Sequence, residues 1–336
     1  MDLRHVGEWG LIKRFTRGSV VVPERVIAGI GDDAAVLPGP EPGEVLLATT
    51  DMLVETVHFR REWSTPEDVG YKAMAVNLSD IAAMGGRPES ALLSLAVPKR
   101  LEIAWVESFS AGLRSCAARF GVNIVGGDTV ASPNEVITIS ITVLGSVLRD
   151  RCLYRHGARP GDVLMVTGNL GGAAAGLALL QHPEMEVDAA SPLLRRHRRP
   201  EPRVEAGKLL SALGGVTCAD DISDGLVSEM YQISEAGQVG LEIYVEKIPM
   251  APGVNEVAAF LGYDPLELAL YGGEDYELLF TVAPGAVAKV ARTLREAGIE
   301  VTPIGLVLPS GEGISSLRGL KRSPLPPGGY EHFRSN

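Results

Sequence analysis

Carboxylates recur in this sequence where charge is least expected, at the ends of apolar runs or beside glycines. Asp32 and Asp33 stand in GIGDDAA, Asp51 in ATTDML, Asp80 in NLSDIAAMGG and Asp128 in VGGDT. Asp220, Asp221 and Asp224 stand in ADDISDG, and Glu274 and Asp275 in YGGEDYE. An unpaired buried carboxylate is very unfavourable, so acids in such settings need a counter-charge. Taken singly, each has a plain structural reading. An Asp before Gly shapes a turn, Asp80 can belong to a helix face or a cap, and Asp224 can cap the helix after it. Brought together at one edge of the fold, they would make a strongly negative cleft that is stable only with cations in it. The ligand set is all oxygen: carboxylates plus the hydroxyls of Thr49, Thr50 and Ser223. Oxygen ligands without His or Cys select Mg²⁺ or a similar hard ion over Zn²⁺. Mg²⁺ usually shares its shell with substrate phosphates, so the pattern predicts a polyphosphate ligand, namely a nucleotide.

The familiar nucleotide motifs are absent. GxxxxGK[ST] does not occur, since Lys208 follows Gly207 but position 202 is Pro, and no protein-kinase catalytic loop is present. The run NLGGAAAG lacks the required lysine and the full GxGxxG spacing. Its Gly171 and Gly172 fit close helix–strand packing as well as they fit phosphate contact. Phosphoryl chemistry here would rest on metal ions and carboxylates rather than on cationic side chains.

The elements that must position these acids are those of a soluble α/β or α+β chain. The 336 residues suggest about two domains, and the 46% apolar and 22% charged shares are ordinary for a globular protein. A net charge of −11 argues against a nucleic-acid partner. No apolar run is long enough to span a bilayer and the N-terminus lacks a signal-peptide pattern, so neither a membrane partner nor export is expected. Cys116, Cys152 and Cys218 are odd in number, far apart and without a CxxC pair, which predicts packed thiols in the reducing cytoplasm.

The pattern predicts a short helix over 8–15 and strands over 26–30 and 45–57. Thr65, Pro66, Glu67 and Asp68 signal the start of a helix that runs to Gly85–Gly86. SALLSLAV reads as a buried strand, 102–119 as an amphipathic helix, and VNIVGGD as a short strand ending in a glycine turn at Asp128. Strict alternation over 135–148 predicts a long strand with Ile137, Ile139, Ile141 and Val143 on one face. The polar stretch near 150 marks a junction between domains 1–149 and 150–336. The second half offers strands at DVLMVTG, VTCAD, LEIYVEKI, YELLFTV and VTPIGLVL, helices between them, and a tail that wraps the surface. The basic run 193–203, LLRRHRRPEPR, reads as a solvated helix face and a Pro-broken turn.

GIGDDAAV, ATTDMLVETVHF, YKAMAVNLSDIAAMGG, GGDT, ISDGL and GGEDYELLF, in this order, resemble the thiamine-monophosphate kinase family. Its superfamily also holds aminoimidazole ribonucleotide synthetase, selenophosphate synthetase and a hydrogenase maturation factor. The resemblance runs from Gly7 to Phe333. It implies a two-domain synthetase-like fold: an N-terminal ATP/Mg-binding domain, whose four-stranded sheet forms a dimeric barrel with a partner's, and a C-terminal α+β domain. It implies a homodimer that uses ATP, several Mg²⁺ ions and thiamine phosphate to make thiamine diphosphate by direct in-line transfer, the last step of its biosynthesis. The attacking phosphate is largely dianionic near pH 7, since its second pKa is about 6, so no general base is implied.

By the same resemblance Asp33, Asp51, Asp80, Asp128 and Asp221 are the main metal ligands, with Thr49 and Thr50 adding oxygens and Asp224 holding a further ion. Asp51, Asp80 and Asp128 carry the metal-assisted transfer. Gly127, Asp128, Arg155 and Ser223 match nucleotide-contacting positions, and His58, Glu274 and Tyr330 match thiamine-phosphate positions. An aromatic face beside a carboxylate suits a cationic thiazolium ring. Another ATP-dependent synthetase of the superfamily and a non-catalytic nucleotide-binding scaffold stand as alternatives.

Overall fold

The structure, a computed structural model, describes residues 3–39, 41–188 and 190–333. The first half runs α1 (Leu3–Phe15), β1 (Ala35–Pro38), β2 (Glu44–Val54), α2 (Pro66–Ala83), β3 (Arg87–Pro98), α3 (Ile103–Phe120), β4 (Asn123–Ser132) and β5 (Thr138–Leu148). Its sheet has the order β1-β2-β5-β3-β4. Alternation decides its faces. Ile137, Ile139, Ile141 and Val143 are buried, as are Val45 and Leu47 of β2, and they meet α2 and α3 in one core. Register places Asp51 opposite Ile141 on this inner face, while its neighbours Thr50 and Met52 pair with Thr142 and Ser140 on the outer one.

Helix α2 begins as the sequence signals. The Thr65 hydroxyl accepts from the Asp68 N–H at 3.1 Å, and the Asp68 carboxylate accepts from the Thr65 N–H at 3.3 Å. Thr65→Ala is expected to lower stability by about 1 kcal/mol in a denaturant titration, with turnover unchanged. Beyond its cap the helix is buried nearly all round. It packs on β2, β5 and α3, and also on the helix Val204–Ala212 and the strand Val216–Asp221 of the second half, so it is the element that joins the two halves.

The second half runs β6 (Val163–Thr167), α4 (Gly172–Gln181), α5 (Ala190–Arg198), α6 (Val204–Ala212), β7 (Val216–Asp221), α7 (Leu226–Gly237), β8 (Gly240–Tyr244), α8 (Val254–Leu261), α9 (Pro265–Tyr271), β9 (Leu278–Val282), α10 (Val287–Glu296), β10 (Val301–Leu308), β11 (Ile314–Arg318) and β12 (Lys321–Pro324). Its sheet has the order β12-β11-β8-β10-β6-β9-β7, antiparallel except for the β11/β8 pair. Short apolar strands carry both faces inward. Leu164 and Val166 meet α7 and α9 on one side, and Met165 and Phe280 meet α6 and α10 on the other.

Four local expectations change. Residues 26–30 make only isolated bridges, Ala28 to Val36 and Ile30 to Asp32; the strand of that region is β1, which adds a fifth member to the first sheet. The SALLSLAV strand alternates rather than being buried throughout, with Leu92 and Ser94 exposed. The chain does not turn at Gly126–Gly127 but continues through them as β4, pairing in parallel with β3. Gly127 has φ 151°, and a Cβ there would overlap the Leu93 carbonyl, so close strand approach rather than a turn requires the glycine. Finally, the basic run is pinned rather than solvated. Arg199 pairs with Asp68 and Glu67, Arg203 with Glu277, and His197 lies 2.9 Å from Glu274. No helix among the described residues is long and apolar enough to cross a membrane.

Candidate active site

The turn after Ile30, strand β2, helix α2 and the end of β7 converge at the junction of the two sheets. Asp33, Asp220 and Asp221 each place an oxygen within 4.8 Å of the other two. Asp51 and Asp80 adjoin this trio, and their charges act on it and on each other. Helix α2 holds three members in place. The Thr49 hydroxyl donates to Asp80 at 2.5 Å, the Ser79 hydroxyl donates to Asp221 at 2.5 Å, and Asn77 accepts the Asp51 N–H at 2.9 Å. Separate elements thus deliver carboxylates to one point, as the strand-end pattern predicts.

Burial, reinforced by neighbouring acids, opposes ionisation of Asp51, Asp80, Asp220 and Asp221. Asp51 is pushed up to about 6 by burial and then by Asp33. Asp221 is pushed up to about 8 by burial and Asp33, and Asp80 stands well above the usual range through burial, Asp51, Asp221 and Asp33. Arg155 supplies the positive charge that pairs with this cluster. Its guanidinium pairs with Asp33, bonds Gln232 and donates to Asp220 at 2.9 Å. Even so, Asp33 Oδ2 and Asp220 Oδ2 are buried without a hydrogen-bond partner. Orphaned anionic oxygens in an all-oxygen donor set fit a hard divalent cation.

The linkage gives a prediction with a definite sign. Folded-state pKa values raised above the ordinary 3.8 confer stability at low pH that is lost as pH rises through about 6 for Asp51 and about 8 for Asp221. The metal-free protein is therefore expected to melt at falling temperatures across that window. Saturating Mg²⁺ is expected to reverse the fall, most strongly at its alkaline end. Thermal melts with EDTA and with Mg²⁺ across the pH range check both.

Asp51, Asp80 and Asp224 also line a cavity of about 710 Å³. Its lining is partly apolar and aromatic, with Trp63, Leu177, Leu268 and Tyr271, and it also includes His58, Glu274 and Tyr330. His58 Nδ1 accepts the Val54 N–H at 3.0 Å, which leaves Nε2–H as the donor the neutral ring can offer. Burial holds that ring neutral, with a pKa lowered to about 4. Burial opposes ionisation of Glu274 too, but Lys72 and His197, by charge and by hydrogen bond, together outweigh it and hold the carboxyl well below the usual range. Asp224 is pushed up to about 7 by burial and then Glu8. Its carbonyl accepts the Tyr330 N–H at 3.0 Å, which docks the tail over the cavity.

Thus Asp33, Asp51, Asp80, Asp221 and Thr49 stand together, and Ser223, Asp224, His58, Glu274 and Tyr330 border the adjoining cavity. Thr50 does not join them within one chain, since its hydroxyl donates to the Ile141 carbonyl at 3.1 Å from the outer face. Gly127 and Asp128 lie on exposed β4, with Asp128 in register with Ser94 and through it Ser140, again on the outer face. Asp32 serves the chain locally by accepting the Arg155 N–H at 3.2 Å. At Gly171–Gly172 the amides of Gly171 and Ala173 donate to Asp275 at 2.6 and 3.1 Å, so that turn is capped from within.

Two family models match the chain: AIR synthase related protein, N-terminal domain, over residues 31–147, and AIR synthase related protein, C-terminal domain, over residues 159–317. The thiamine-monophosphate kinase of Bacillus subtilis (strain 168) is 37% identical over 316 residues, covering 92% of this chain and 94% of that protein. That of Escherichia coli (strain K12) is 38% identical over 332 residues, covering 97% and 98%. The chain belongs to the thiamine-monophosphate kinase family. Within that kinase family, the solved structure of AaThiL complexed with AMPPCP and TMP is 36% identical, superposes with a TM-score of 0.84 and covers 99% of both chains.

Several residues of this kinase site escape the sequence reading. Asp220, which the sequence reading counts among the recurring acids without giving it a ligand role, is a full member of the acid cluster. Glu229 of α7 is fully buried beneath it and accepts the Asp224 N–H at 2.9 Å. Lys72 and His197 stand behind Glu274. For Lys72 a signal exists: positions 72, 76 and 80 share one face of α2, and Val76 and Asp80 line the cavity.

Proposed function

We propose that this chain is a thiamine-monophosphate kinase in which the acid cluster activates ATP against a thiamine phosphate held in the adjoining cavity. The observation that carries the reading is continuity: Asp51, Asp80 and Asp224 belong both to the acid-rich junction and to the wall of the cavity that Glu274 and Tyr330 border. One oxygen of the thiamine phosphate forms a bond to the γ-phosphorus of ATP. The bond from that phosphorus to the β,γ-bridging oxygen breaks in line, and ADP leaves. Mg²⁺, when bound by Asp33, Asp51, Thr49, Asp80 and Asp221, with Asp224 holding a further ion, neutralises charge on the phosphates.

The chain's own groups do the rest. Tyr330 offers an aromatic face and Glu274 a carboxylate to the thiazolium cation, and His58 donates from Nε2. Ser223 and Arg155 take nucleotide oxygens, Arg155 by turning its fork from carboxylate to phosphate. No residue needs to remove a proton, because the acceptor oxygen is already anionic.

The protein acts in the cytoplasm as a homodimer of chains divided near residue 150, with residues 1–149 carrying the nucleotide and the dimer contact. Strand β4 supports the dimer. It is an open sheet edge that exposes Ile124, Val125 and Val130, a feature that proteins normally cover. Thr50 and Asp128 face outward from β2 and β4, separated by β5 and β3. A two-fold pairing of the sheets into a barrel brings Thr50 of one protomer toward Gly127 and Asp128 of the other.

Incubation with ATP, Mg²⁺ and thiamine monophosphate, followed by mass analysis, tests the function. The diphosphate and ADP are expected in equal amounts. Consumption of ATP with thiamine monophosphate untouched points to another acceptor, as in a related synthetase, and no ADP at all points to a scaffold.

A further inference from the structure

Lys72 is the only Lys or Arg in α2, and it is 2% exposed in a helix otherwise buried among apolar side chains. A methionine or leucine would fill that volume without the desolvation that a buried ammonium incurs. Its Nζ lies 2.5 Å from Glu274 Oε1 and donates to the His58 carbonyl at 3.2 Å. One charge therefore ties together the loop after β2 and the loop before β9, which carry two residues of the cavity lining, His58 and Glu274. Both loops hold strained backbone: Thr56 has φ 73°, Glu274 φ 70° and Tyr276 φ 50°. Non-glycine residues persist there only where their surroundings over-determine them. On the far side of the carboxylate, His197 Nδ1 lies 2.9 Å from Oε2 and is itself buried. Lys72 does not line the cavity; Glu274, His58 and His197 do.

We infer that Lys72 is a positioning residue for recognition of the thiamine cation: its ion pair fixes the Glu274 carboxylate and keeps it aimed into the cavity, and it acts on the substrate only through that carboxylate. The inference rests on the functional reading above. Without the ammonium 2.5 Å away, this half-buried carboxylate loses the contact that fixes it and turns away, and the cationic ring loses its partner. The nucleotide side of the site, built on Asp33, Asp51, Asp80 and Asp221, does not depend on Lys72 for any hydrogen bond.

Steady-state kinetics of the full-length chain test this. Lys72→Met is expected to raise KM for thiamine monophosphate about thirtyfold while KM for ATP stays within about twofold, a split that general loosening of the fold would not produce. Glu274→Gln is expected to show a rise of the same order. The double variant Lys72→Met/Glu274→Gln is expected to match Glu274→Gln alone within about twofold, because the two residues act as one unit. The double variant removes both charges, so it also carries the test if Lys72→Met alone does not fold. A wild-type KM for thiamine monophosphate in Lys72→Met overturns the inference. So does a further tenfold loss in the double variant, or a double variant that fails to fold where Glu274→Gln folds. A wild type that binds no thiamine monophosphate overturns the functional reading and this inference with it.

Discussion

Asp80→Asn is expected to give a folded protein whose turnover falls by roughly a thousandfold, the scale on which removal of one preorganised electrostatic group acts in a closed site. Asp80 is half-buried at the cavity wall and stands beside Asp51, Asp221 and Asp33. Burial and those charges hold it well above the ordinary range, so in the metal-free protein the neutral form predominates and an amide imitates it. The Asn carbonyl can still accept the Thr49 hydroxyl that Asp80 accepts at 2.5 Å. The metal-free variant should therefore melt no lower than the wild type, and higher at alkaline pH where the wild-type carboxyls repel one another. What the amide cannot supply is an anionic ligand. The rise in melting temperature produced by Mg²⁺ should shrink together with turnover, and ADP release and paired melts with and without Mg²⁺ measure the two. Wild-type turnover in this variant would contradict a role for Asp80 in holding the ion.

Asp128 leads to a second large effect, because its place in the fold is not that of the other acids. Asp128 sits on the exposed β4 edge, with β5 and β3 between it and β2, and its carboxylate accepts the Thr129 N–H at 2.9 Å. If Asp128 of the partner subunit completes each site, Asp128→Asn and Asp80→Asn should each be inactive as homodimers. Mixing and re-equilibrating equal amounts should then restore about a quarter of wild-type activity. Half of the dimers are then mixed, and each mixed dimer holds one site in which both residues are wild type. No recovery, with subunit exchange verified by mass, would place Asp128 outside the site. Asp128→Asn should change the metal-free melting temperature little, since its carboxyl is already solvated.

Much of this arrangement is legible in the sequence, and the reasons are local. The Thr65–Asp68 box and the alternation from Ile137 to Val143 each state their structure within a few residues. The acids at strand ends announce a cation site because an apolar context gives a charge few other purposes. Where the reading departs from the structure, non-local packing decides. Gly126–Gly127 reads as a turn, yet β3 passes so close that glycine is needed to let β4 run straight. Strands β11 and β12 carry little alternation, since ISSLR and KRSP pair at the sheet margin beside β8. The short helix α9 lies in a stretch left unassigned, although Asp264 caps it and Pro265 opens it. The basic run 193–203 looks like a solvated face because its partners, Asp68, Glu274 and Glu277, are distant in sequence. Lys72 is hidden for the same reason: nothing near it in the chain reveals that Glu274 lies 2.5 Å away in the fold.

The account depends on carboxylates from separate elements gathering around divalent ions at the edge of the substrate cavity. Anomalous diffraction from crystals grown with Mn²⁺, a non-hydrolysable ATP analogue and thiamine monophosphate measures this directly. The expected map has peaks between Asp33, Asp51, Asp80 and Asp221, with the thiamine ring against Tyr330 and Glu274. Peaks confined to other surfaces, with that junction holding only Arg155 and water, would contradict it.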